Sequence, residues 1–144
     1  MLRPNRLALL TAGLCCLAGP AVAQPASDDL RPLVLRGAFS EALDRANNAE
    51  SKSKSAPALF DQGVAAYALK DFAGAAALFA QVAQSQGDPD LAIRAAVAAS
   101  MALSLSGDRA GTCEYTTIIM PLVETMPLLW RGWIEEARRA SNCG

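Results

Sequence analysis

The chain has 144 residues, 52% of them hydrophobic and 19% charged, with 13 basic against 14 acidic residues and a formal net charge of −1. It contains no histidine, which removes the commonest general base and the commonest zinc ligand. A faintly acidic chain also lacks the cationic field that nucleic acid or an anionic membrane requires, so neither is an expected ligand.

The first segment reads as an export signal. Residues 1–6 carry Arg3 and Arg6 and no acid, and residues 7–17 form an apolar run too short to span a bilayer as a helix. Gly19 and Pro20 break that run, and Ala21, Val22 and Ala23 supply the small residues a signal peptidase accepts before Gln24. This order predicts a cleaved secretory leader over residues 1–23. Lipidation is disfavoured, because Leu14 and Cys15 precede the two leader cysteines where a small residue is required. The expected destination is a Gram-negative periplasm, with a secreted fate as the alternative. Cleavage would take two basic residues and no acid, leaving eleven against fourteen and a net charge of −3. No later apolar stretch reaches membrane-spanning length without interruption, so stable membrane insertion is not expected of the exported product.

Residues 24–29 are expected to be a flexible tail, followed by one helical domain over 30–144. The stretch 30–46 carries Leu33, Val34, Leu35, Phe39, Leu43 and Ala46, with an interruption at Gly37. Residues 47–55 are polar and without apolar periodicity, which predicts a linker-like loop. Pro57 fits the first turn of a helix whose apolar positions Leu59, Phe60, Gly63, Val64, Tyr67 and Ala68 recur at intervals of three and four. Lys70 and Asp71 interrupt this pattern, and 72–83 resumes it. Residues 84–89 are a stop, and Asp90 is the expected N-cap of the next, Ala-rich helix over 91–105. A further helix is predicted over 109–120, ending before Pro121. The last, opened by Pro127, covers 128–140 with Trp130, Trp133, Ile134 and Ala137 on one face. The fold class is therefore all-α.

Two cysteines lie outside the leader, Cys113 and Cys143. An even pair in an oxidising compartment predicts a disulfide, and antiparallel helices over 109–120 and 128–140 bring the two to one end. A redox pair is the alternative, but there is no C-x-x-C and no neighbouring histidine to activate a thiol.

No nucleotide-binding glycine loop, serine-hydrolase elbow or metal-ligand spacing is present. Asp88 and Asp90 flank Pro89 without the alternating oxygen ligands of a calcium loop. These absences predict a protein that is not an enzyme and takes no cofactor.

Three helix breaks look alike: Gly37-Ala38-Phe39, Lys70-Asp71-Phe72 and Gly107-Asp108-Arg109, starting 33 and 37 residues apart. A helix–turn–helix unit repeating near 34 residues resembles the tetratricopeptide repeat. Gly63, Ala66, Asp71, Phe72, Ala75, Phe79 and Val82 carry the resemblance best. The first unit keeps mainly its second half, and the third departs from the pattern with Arg109 and Thr112. The resemblance covers residues 30–126 and implies antiparallel hairpins stacked as a short α-solenoid, with helix 128–140 as a C-terminal cap. It further implies a concave surface, formed by the first helix of each unit, that receives a peptide or partner protein. On this chain that surface draws on Phe60, Val64, Tyr67, Arg94, Val97 and Met101. The expected role is a protein–protein interaction module of the cell envelope. A structural accessory subunit of an envelope complex is the alternative, and self-association stays open.

Overall fold

The helix order follows from where the chain reverses. A computed structural model describes residues 29–49 and 54–144, so the expected leader and residues 24–28 of the expected tail lie outside the described residues. The elements are α1 (Arg31–Leu35), α2 (Phe39–Asn48), α3 (Ala56–Ala68), α4 (Phe72–Ala83), α5 (Pro89–Ser106) and α6 (Arg109–Ile119). A 3₁₀-helix (Met120–Thr125) and α7 (Leu128–Ser141) follow. Among the described residues there is no strand, and no helix is long and apolar enough to cross a membrane.

The three similar breaks have one backbone geometry. Gly37, Lys70 and Gly107 all adopt left-handed conformations, with φ of 78°, 67° and 83°. In each, the next N–H reaches back five residues: Ala38 to the Leu33 carbonyl, Asp71 to Ala66 and Asp108 to Leu103, at 2.9, 3.0 and 3.0 Å. This is a Schellman closure, which satisfies carbonyls that a helix end otherwise leaves unpaired. Asp71 and Asp108 then cap the next helix, accepting from the Gly74 and Gly111 N–H groups at 2.9 and 3.0 Å. α7 closes the same way, with Asn142 at φ 52° and the Cys143 N–H on the Arg138 carbonyl at 3.0 Å.

Three boundaries differ from expectation, each for a local reason. α2 continues through Asn47 and Asn48, so the loop expected over 47–55 begins two residues later, and Ser55 caps α3 by accepting from the Ala58 N–H at 3.3 Å. Asp88 rather than Asp90 caps α5. Its carboxylate accepts from the N–H groups of Asp90 and Leu91 at 2.9 and 3.3 Å, while Pro89 takes the first turn, where its missing N–H costs nothing. At Pro121 the chain tightens into the 3₁₀-helix instead of stopping. Asp29, assigned to the tail, is engaged: its carboxylate accepts from the Arg31 N–H at 3.2 Å.

Small residues set how closely these helices approach. Ala66, Ala75, Ala76, Ala99 and Ala102 form most of the central core between α3, α4 and α5, with Phe79 as its single large buried side chain. Gly63 lies beneath the Phe79 ring, and a Cβ there would fall 2.7 Å from Phe79 Cε1. A second core joins Ala96 and Val97 of α5 to Ile119, Met126 and Ile134. Gly132 is the opposite case, lying exposed within α7 with open space around its Cα. Gly63→Ala is expected to lose about 1–2 kcal/mol, overpacking outweighing the gain in helix propensity. Gly132→Ala should gain about 0.5–1 kcal/mol. Urea midpoints moving in opposite directions check the pair.

Two buried polar side chains tie α1 and α2 to α3. Asp61, 4% exposed, accepts from Arg31 Nε at 2.9 Å, and Gln62 accepts from Lys54 Nζ at 3.0 Å while donating to Asn47 Oδ1 at 3.5 Å. At the other end, Arg131 donates to the Met126 carbonyl at 2.9 Å and pairs with Glu124 at 3.0 Å, anchoring α7 to the 3₁₀-helix. Cys113 and Cys143 are joined by a disulfide, which fastens the end of α7 to α6 with Cα atoms 5.3 Å apart.

Candidate functional site

α5 packs on α7 and touches α3 more lightly. Two cavities open along them. The first, about 170 Å³, lies between α3, α4 and α5 and is lined by Phe60, Val64, Tyr67, Phe79, Ala98 and Met101. Its walls are apolar throughout. The Phe60 and Phe79 rings pack tilted with centroids 5.3 Å apart, and Tyr67 meets Phe72 edge-on at 5.3 Å. Such contacts fix the ring positions, so the cavity is held open by packed aromatics.

The second cavity, about 290 Å³, shares Tyr67 and Met101 with the first and extends over Ser104, Leu105, Trp133, Glu136, Ala137 and Ala140. The two adjoin at Tyr67 and Met101, which line both, and together form a groove bordered by α3, α5 and α7 with Phe79 of α4 in its floor. Leu105, 55% exposed, lies on its wall. Glu136 is the only charged side chain lining either well, and it joins no ion pair among the described residues.

Four of the six residues expected on the binding surface meet here: Phe60, Val64, Tyr67 and Met101. All four are half-buried. The other two do not join them. Val97 is 3% exposed and belongs to the core beneath α7, so the expectation that it faces a partner is corrected. Arg94 is exposed and lines a separate cavity of about 430 Å³ with Asp90, Ile93, Met126, Pro127 and Trp130. Its Nε donates to the Asp90 carbonyl at 3.3 Å.

Sequence reasoning overlooked the floor and far wall of the groove. Phe79 is a buried core residue and Ala98 packs partly buried against that core, yet both border the first well. Leu105 was legible as the residue one turn beyond Met101 on the same face. Trp133 packs against the α5–α6–α7 core while also lining the second well. Among the described residues no group of three acidic or cysteine side chains converges as a metal site would. Compared with family models, with curated proteins and with solved structures, the chain finds no match.

Proposed function

We propose that this protein is a non-catalytic interaction module of tetratricopeptide-like architecture that works in the periplasm, holding a peptide or helix of a partner protein in the α3–α5–α7 groove. The observation that carries this reading is the convergence of Phe60, Val64, Tyr67 and Met101 on one apolar well continuous with a second. Apolar wells beside half-buried aromatics are the usual anchor sites of protein interfaces. The three Schellman turns, 33 and 37 residues apart, support the repeat. The leader-like residues 1–23 and a disulfide that needs an oxidising compartment support the location.

The test is partner capture by chemical crosslinking in cells, followed by mass spectrometry. Tyr67→Ala combined with Met101→Glu is expected to lower capture about 10- to 100-fold, as loss of two anchor contacts does. Ala77→Glu, on the exposed face of α4, should leave it unchanged. Equal capture by all three proteins would remove the groove assignment.

A second reading, a structural subunit of an envelope complex, is favoured by an exposed apolar corner. Ile118 of α6, Leu122 of the 3₁₀-helix, and Leu128 and Leu129 of α7 are 61%, 41%, 81% and 62% exposed. Solution behaviour discriminates the two. A monodisperse monomer that melts cooperatively supports the stand-alone module, and aggregation relieved by a co-expressed partner supports the subunit.

A further inference from the structure

We infer that the groove selects ligand segments presenting two bulky apolar side chains together with a lysine or arginine. The inference rests on the partner-binding reading and specifies its ligand.

The wells set the apolar part. Each is smaller than the roughly 300–1,000 Å³ of small-molecule pockets. At about 170 and 290 Å³, and adjoining at Tyr67 and Met101, they suit two side chains carried on one chain better than one compact molecule. The first offers no polar partner and accepts only an apolar group. The second is of mixed character, with Ser104 and Glu136 beside Leu105, Trp133, Ala137 and Ala140.

Glu136 sets the charge. It sits on the last two turns of α7 with no cation paired to it among the described residues. Arg138, two residues on, is turned away, donating to Met120 Sδ and to the Gly144 carbonyl. Arg139, one helical turn on, and Lys70 and Arg109, in the turns beyond, line neither well and pair with no acid among the described residues. The groove also uses the C-terminal halves of α3, α5 and α7: Tyr67, Met101 to Leu105, and Trp133 to Ala140. Beside the Glu136 carboxylate a ligand cation is favoured and a ligand carboxylate repelled. Desolvation beside the apolar wall strengthens that discrimination relative to open solvent.

The experiment titrates the purified, oxidised protein with fluorescently labelled 12-residue peptides and reads anisotropy. Each carries a leucine pair, at a spacing of two, three or four residues, next to a lysine. Matched peptides replace the lysine by glutamate, or both leucines by alanine. At low ionic strength, the lysine form of the best spacing should bind about five- to tenfold tighter than its glutamate form. That preference should shrink in 0.5 M salt and fall below about twofold in Glu136→Gln. Equal binding of the lysine and glutamate forms, or a preference undiminished in Glu136→Gln, overturns the charge selection and leaves the apolar groove standing. Failure of every leucine peptide to bind, or equal binding by the alanine form, overturns the groove reading and this inference with it.

Discussion

Phe79→Ala is expected to lower the stability of the domain by about 3–5 kcal/mol, the range for deleting a fully buried aromatic side chain. The effect is large because the core has so few large side chains. Around Phe79 the buried cluster is five alanines, which remove little apolar surface from water individually. The ring fills the space that Gly63 leaves and packs on Phe60. A loss of this size is a large share of the roughly 5–15 kcal/mol typical of a domain. Urea unfolding followed by circular dichroism measures it, and a loss under about 1.5 kcal/mol would mean that α3 and α4 are not held by this contact. The pair should also be coupled. Shrinking the ring relieves the clash of an added Cβ, so Gly63→Ala with Phe79→Leu should cost less than the sum of its parts by about 1 kcal/mol.

Opening the Cys113–Cys143 bridge, by reduction or by serine substitution at both positions, is expected to cost about 3–4 kcal/mol. The bridge spans 30 residues, and releasing it lets the unfolded chain explore conformations the loop closure had denied. The thermal midpoint should fall by roughly 10–15 °C in differential scanning calorimetry. Below that midpoint α7 should stay docked, since Ile134 and Ala137 remain buried and Trp130 and Trp133 still pack against the α5–α6–α7 core. Near-UV circular dichroism of the reduced protein should therefore match the oxidised form at 20 °C. A shift below about 3 °C would argue that the bridge is not structural and would return the redox-pair alternative to consideration.

The features read correctly from sequence are those with local causes. Gly37, Gly107 and the Lys70-Asp71 pair announce reversals because a left-handed residue and a capping carboxylate act within one turn of the chain. The face of α7 was legible for the same reason: Trp130, Trp133, Ile134 and Ala137 are spaced by helical geometry, and Ile134 and Ala137 are buried while the tryptophans pack against the core. What escaped reading depends on contacts between distant segments. Val97 shares the face of α5 with Met101, and only the docking of α7 decides that one is covered while the other borders a cavity. Asp61 and Gln62 resemble solvent-facing residues until Arg31, Lys54 and Asn47 arrive from flanking segments to satisfy them. The groove divides along the same line. Phe60, Val64 and Tyr67 follow from helical periodicity, whereas the floor formed by Phe79 and the wall formed by Trp133 come from other helices.

The most direct test of the groove as the partner-binding surface is site-specific photocrosslinking in living cells. A photoreactive phenylalanine analogue placed at Leu105, exposed on the groove wall, is compared with the same analogue at Ala77, exposed on α4. A discrete adduct from position 105, absent from position 77 and lost when Tyr67→Ala and Met101→Glu are added, is the predicted result. The same adduct from both positions, or an adduct from position 77 alone, would contradict it.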